Sequence, residues 1–160
     1  MRDVYIFCIG KLKEKYWREA EAEYAKRLRA YCDLHIVELK DEQALESLSE
    51  AEKEKVKSVE GERILQKVRP DMHLIVLDIA GKTSDSVTFA THISKLRETG
   101  DGKIAFAIGG SLGLGKNLLE RADETLSFSA FTFPHQLARV ILLEQIYRGY
   151  RIMSGAPYHK

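Results

Sequence analysis

Cysteine is nearly absent from this sequence: Cys8 and Cys32 are the only two in 160 residues, and neither has histidine or cysteine partners at metal-ligand spacing. A disulfide-stapled scaffold is therefore excluded, and both are expected to be buried free thiols. Proline is scarce, with three residues, and no linker, repeat or low-complexity tract divides the chain, so residues 1–160 are expected to form a single domain. A domain of this length buries roughly 70% of the surface that its unfolded chain exposes. No apolar run approaches a membrane span. The first residues lack the length and small-residue exit of a signal peptide, so a cytoplasmic protein with no membrane partner is expected. Net charge is also lacking: 25 Lys and Arg against 24 Asp and Glu leave +1. This excludes a strong overall positive field of the kind many nucleic-acid binders use, and basic residues would have to act locally. They cluster at Lys11, Lys13, Lys15, Arg18, Lys26, Arg27 and Arg29, interleaved with Tyr16, Trp17 and Tyr24. A solvated helix face with its aromatic stripe packed inward explains this pattern better than an RNA-contacting patch.

What is present is an alternation of short Val-, Ile- and Phe-rich runs with longer stretches of helical period. This pattern predicts an α/β fold, a mostly parallel sheet with helices on both faces. Strands are expected over residues 4–10, 34–39, 73–79, 103–108 and 125–128. Leu12, Tyr16, Ala20, Tyr24, Leu28 and Tyr31 are spaced as one buried helix stripe. Ser49 and Glu52 form a capping-box pattern opening a helix to Val68, after a charged stretch from residue 41 expected to include a mobile loop. Gly81 and Lys82 read as a turn, and Ser84 as the cap of a helix carrying Val87, Ala90, Ile93 and Leu96. A brief helix follows at residues 116–121, and a long apolar one runs from Pro134 to about Met153.

The fourth run ends in four glycines within seven residues, from Gly109 to Gly115, a loop that lets a ligand approach the backbone closely. Gly110 to Asn117 nearly spells a phosphate-cradling P-loop. The final position of that motif must be Ser or Thr to ligate magnesium, and Asn117 offers only an amide. A dinucleotide fold fits less well, because no glycine lies three residues beyond Gly115.

Several separated segments carry a resemblance. Gly10-Lys11-Leu12-Lys13-Glu14-Lys15-Tyr16-Trp17, Ile108-Gly109-Gly110-Ser111, Leu126-Ser127-Phe128-Ser129, Thr132-Phe133-Pro134-His135-Gln136 and Pro157-Tyr158-His159-Lys160 closely resemble the RlmH-type ribosomal methyltransferase family of the knotted SPOUT class. The resemblance implies a C-terminal trefoil knot and a homodimer. It also implies S-adenosylmethionine-dependent methylation of N3 of a pseudouridine in 23S rRNA of the large subunit, on assembled ribosomes, with no metal. Position by position, it places the cofactor against Leu77, Gly109, Phe128, Ser129, Ala130, Phe131, Thr132 and Phe133. Leu77 and Phe128 also read as ordinary core residues.

Methyl transfer to an imide nitrogen requires the base to lose its proton. Candidates for taking that proton or stabilising the anion are His135, Arg148, Tyr158 and His159, with Glu144 spaced to orient Arg148 across one helical turn. His135 fits support of the cofactor loop better than proton transfer. One short tail is expected to need a second subunit to complete a pocket. A non-catalytic, ribosome-associated RNA-binding factor is the reading of a different class, and a degenerate P-loop NTPase is the weaker rival.

Overall fold

A computed structural model describes residues 2–43, 46–99 and 103–158. In chain order the elements are β1 (Arg2–Ile9), α1 (Lys15–Leu28), β2 (Cys32–Leu39), α2 (Glu50–Leu65), β3 (Met72–Thr83), α3 (Ser86–Thr99), β4 (Lys103–Ile108), α4 (Lys116–Arg121), β5 (Glu124–Ser127) and α5 (His135–Met153). The strands form one sheet in the order β2-β1-β4-β3-β5. Every strand pairing is parallel, as the α/β alternation predicts.

Strand alternation divides the core into two layers. Val4, Ile6 and Cys8 of β1 and Ile104, Phe106 and Ile108 of β4 face α1, α3 and α5, where they meet Leu28, Phe89, Ile93, Leu142, Leu143 and Ile146. The opposite face presents Phe7, Ile9, Ala105, Ala107, Leu74 and Val76 to Ile64 of α2 and Leu118 of α4. Full burial of a side chain such as Phe106 or Leu142 stabilises the fold by about 1.5–3 kcal/mol. Cys8 and Cys32 are buried and unbridged. Among the described residues, no helix is long and apolar enough to cross a membrane.

The capping box is present: Ser49 Oγ accepts from Glu52 N–H at 3.2 Å, while Ser49 N–H donates to Glu52 Oε1 at 3.2 Å. The helix that it opens stops at Leu65 rather than Val68. Of the charged stretch expected to hold a mobile loop, Ala44 and Leu45 lie outside the described residues.

Four local expectations are corrected. Gly81 and Lys82 are not a free turn but the close of an irregularity within β3, where Leu77 and Lys82 both align with Leu126. A Cβ at Gly81 would stand 2.9 Å from Asp78 O and from Leu126 N, so the chain folds this tightly only without a side chain there. The cap of α3 is Asp85 rather than Ser84, with Asp85 Oδ1 accepting from Thr88 N–H at 2.7 Å. On that helix Val87 is exposed, and Phe89 instead joins Ala90 and Ile93 inside. Tyr16 does not join the inward stripe of α1: it lies in the first turn of a helix that begins only at Lys15 and is 62% exposed.

Candidate active site

The irregularity within β3 and the carboxyl ends of β4 and β5 open onto a cleft of about 780 Å³, the place where parallel α/β sheets hold ligands and a volume suited to a small molecule. Its walls are Leu77, Asp78 and Ile79 at that irregularity, Ile108 to Leu114 from the last residue of β4 onward, and Phe128, Ser129, Phe131, Thr132 and Phe133 after β5. Pro134, His135, Gln136 and Ala138 at the start of α5 close it. Seven of the eight residues expected to hold the cofactor therefore share one cavity. Ala130 lies in the same run but is exposed and outside the cleft wall.

The glycine loop is held from behind by close packing. A Cβ at Gly109 would stand 2.9 Å from both Gly113 O and Leu114 Cδ2, and one at Gly110 would stand 2.7 Å from Glu60 Oε1. Glu60 is buried in α2, and its Oε2 accepts from Glu42 N–H at 3.0 Å. Burial pushes its carboxyl above the ordinary carboxylate range. After β5, Ser129 Oγ accepts from Phe131 N–H at 3.0 Å. This turn directs the 77% exposed Phe131 ring to the cleft rim.

Among the described residues, no lysine or arginine lines the cleft, and Asp78 is its one carboxylate. Burial holds His135 below the usual histidine range, and the Arg139 guanidinium one turn along α5 adds to the effect, so the imidazole is neutral at neutral pH. The donor set does not fit a nucleotide polyphosphate, whose charge needs cations or a bound metal. It does fit a cationic sulfonium nucleoside, which needs an apolar slot, backbone hydrogen-bonding groups and no phosphate counter-charge.

The P-loop reading fails on the same ground. Lys116 does not line the cleft. The Asn117 amide turns toward α2, donating to Ser58 O at 2.9 Å. It fills the space beside Gly61 and Gly115, where a Cβ would stand 2.5 Å from Asn117 Oδ1. Asn117 locks α4 against α2.

A second cluster gathers at the other end of α5. Glu144 Oε1 accepts from Arg148 Nε at 3.0 Å, from Arg148 Nη2 at 2.6 Å and from the Tyr158 hydroxyl at 3.3 Å. The guanidinium carbon lies 4.7 Å from the centre of the Tyr158 ring, which also meets Tyr147 edge-on at 5.0 Å. The Glu144 hydrogen bonds hold Arg148 firmly cationic, while burial and the same carboxylate push the Tyr158 phenol up. His159 lies outside the described residues. Glu144, Arg148 and Tyr158 are not part of the cleft wall. Thirteen helical residues separate His135 from Arg148, about 20 Å along the axis. Within one chain, His135 is thus at the cleft and the other described candidates are remote from it.

Residues 2–159 match the family described as "Predicted SPOUT methyltransferase". The chain belongs to the SPOUT methyltransferase family. It is 54% identical over 157 residues to the ribosomal RNA large subunit methyltransferase H of Exiguobacterium sibiricum, covering 98% of this chain and 99% of the relative. The proteins of the same name from Bacillus pumilus and Clostridium beijerinckii are 52% and 53% identical over 158 residues, each alignment covering 99% of both chains.

Membership of the SPOUT family implies the C-terminal knot expected from the resemblance. In this SPOUT chain, sequence reasoning missed Asp78, Ile79, Glu60 and Arg139. Asp78 ends an apolar run, a visible signal. Arg139 had none, because its partners Glu21, Glu38 and Gly10 are distant in sequence.

Proposed function

We propose that this protein is an S-adenosylmethionine-dependent methyltransferase that modifies N3 of a pseudouridine in 23S rRNA of the large ribosomal subunit. It works as a cytoplasmic homodimer of single-domain subunits, on assembled ribosomes. The observation that carries the reading is the cleft: apolar walls, a glycine loop and, among the described residues, a single carboxylate and no lysine or arginine.

Leu77, Gly109, Phe128, Ser129, Phe131, Thr132 and Phe133 hold the cofactor, with Asp78 compensating its positive charge. Bound there, S-adenosylmethionine supplies an electrophilic methyl group. His135, neutral and next to the loop, supports the cleft wall. The imide nitrogen attacks only as an anion, and the protein's contribution is to make that anion accessible near neutral pH. Arg148 stabilises its negative charge. Glu144 is a positioning residue that fixes the guanidinium by two hydrogen bonds to one oxygen. Tyr158 covers the guanidinium face, and a role for His159 toward the base rests on the family resemblance. The length of α5 between the cleft and Arg148 supports a composite site, in which the tail of one subunit serves the cleft of the other.

The test is titration of the purified protein with S-adenosylmethionine by calorimetry, followed by transfer of a labelled methyl group to ribosomes lacking the modification. Saturable cofactor binding and label at a pseudouridine N3 are expected. RNA binding without cofactor affinity would instead make the protein a non-catalytic RNA-binding factor.

A further inference from the structure

On the face of the sheet covered by α3, a separate group of side chains converges. His73 of β3, His92 of α3 and Glu124 of β5 each offer one ligand atom, and these atoms all lie within 4.8 Å of one another. His92 Nε2 is 2.7 Å from Glu124 Oε2, and His73 Nε2 contacts the same oxygen. The fold dictates this meeting. Ile75 is aligned with Glu124 in the β3–β5 ladder, so His73, two residues before Ile75, faces the same side as Glu124. There α3 packs its Phe89 and Ile93 against the Ile75 layer, bringing His92 onto the carboxylate. Glu124 opens β5 at the end remote from Phe128, and none of the three side chains lines the cleft.

We propose that His73, His92 and Glu124 form a binding site for a divalent transition metal ion of the zinc class. Two imidazoles and one carboxylate make a ligand set that zinc accepts with a water in the fourth position, and nitrogen ligands of this kind favour late first-row ions over magnesium or calcium. The side chains are 31%, 41% and 31% exposed, which leaves the site open to an ion and its water. Metal–ligand bonds of about 2.0–2.2 Å place neighbouring tetrahedral ligand atoms about 3.3–3.6 Å apart. Beside the cluster, a groove of about 350 Å³ lined by Lys82, Thr83, Ser84, Thr88 and Lys95 leaves room for the fourth ligand. The ion staples the edge strand β5 and helix α3 to β3 and takes no part in the chemistry of the cleft.

The alternative is a metal-free cluster in which the carboxylate accepts from two imidazole N–H groups. Calorimetric titration of the metal-stripped full-length protein with zinc chloride separates the two. The proposal expects saturable binding of one ion per chain, with affinity reduced about tenfold or more in His92→Ala and in Glu124→Gln. Glu124→Gln keeps a hydrogen-bond acceptor and so guards against loss of the fold. His35→Ala, which breaks a separate pair with Asp3 at 2.9 Å, is expected to bind zinc as the wild type does. Zinc should also raise the unfolding temperature of the wild type and not of the two site variants. Absence of saturable binding, or wild-type affinity in both His92→Ala and Glu124→Gln, overturns the proposal.

Discussion

Arg139 Nη1 donates to Glu38 at 2.7 Å and to Glu21 at 3.0 Å, while its Nη2 donates to Gly10 O at 3.2 Å. Arg139 is 1% exposed, and its hydrogen bonds join α5 to α1, β2 and the end of β1. The same helical turn carries His135 into the cleft, so this buried charge fixes where the cofactor wall begins. Arg139→Met leaves two carboxylates without their cation, a loss of about 2–4 kcal/mol once the partial exposure of both glutamates is allowed for. Urea unfolding of the variant measures it, and Glu38→Gln in the same chain should restore part of the stability. An Arg139→Met protein as stable as the wild type would refute this role.

Arg148→Ala is expected to lower methyl transfer about a hundredfold, the usual scale for removing one charge-stabilising group. Cofactor affinity should remain unchanged, because the proposed role of Arg148 is to stabilise the anionic base and not to hold the cofactor, whose cleft wall it does not join in its own chain. Single-turnover rates and calorimetry on one preparation check both halves. Equal losses in binding and rate would move Arg148 into the cofactor site.

Gly109→Ala is expected to act on the cofactor. The added Cβ would stand 2.9 Å from Gly113 O, a backbone atom that moves only if the loop moves. Overpacking of this kind costs about 1–3 kcal/mol, which weakens S-adenosylmethionine binding by about five- to a hundredfold. Calorimetry gives the affinity, and wild-type affinity would mean that the loop is not part of the cofactor site.

The acid limb of stability should depend on Asp123. Its Oδ2 accepts from Leu74 N–H at 2.8 Å, and its own N–H donates to Leu74 O at 2.9 Å. Burial opposes the charge, but the Leu74 and Arg121 hydrogen bonds outweigh it and hold the carboxyl below its ordinary range. A depressed carboxyl contributes stability that is complete above its unfolded value and is lost as pH falls through the folded one. Asp123→Asn should therefore cost about 1–2 kcal/mol at pH 7. The gap to the wild type should narrow below about pH 4, as urea midpoints across that range would reveal. A gap independent of pH would contradict the linkage.

Much of the fold was legible because strand runs and helix stripes repeat locally. Ser49 and Glu52 announced α2, the clustered glycines announced one wall of the cleft, and the family resemblance pointed to a second at residues 128–133. The i,i+4 spacing of Glu144 and Arg148 was visible, and their 2.6 Å contact follows from it. What escaped were relationships made by tertiary packing. The Leu77 to Lys82 register jump depends on what β5 offers across the ladder. Arg139 meets partners more than a hundred residues away, and the His73, His92 and Glu124 cluster joins three elements. No local period encodes such meetings. Of the third wall the resemblance pointed to Leu77, while Asp78 and Ile79 beside it were hidden because the irregularity that exposes them to the cleft reads in sequence as an ordinary strand end.

The central claim is that each active site joins the cleft of one subunit to the Arg148 end of the other. Mixing Gly109→Ala, whose cleft is impaired, with Arg148→Ala, whose tail is impaired, and allowing subunits to exchange tests it most directly. Random pairing makes half of the dimers mixed, each with one intact composite site. Assayed at a cofactor concentration below the Gly109→Ala dissociation constant, the mixed dimers are therefore predicted to add about a quarter of wild-type methyl transfer to the residual activity of the two variants. No recovery in a mixture shown to contain mixed dimers would place the cleft and Arg148 of one chain in the same site and contradict the account.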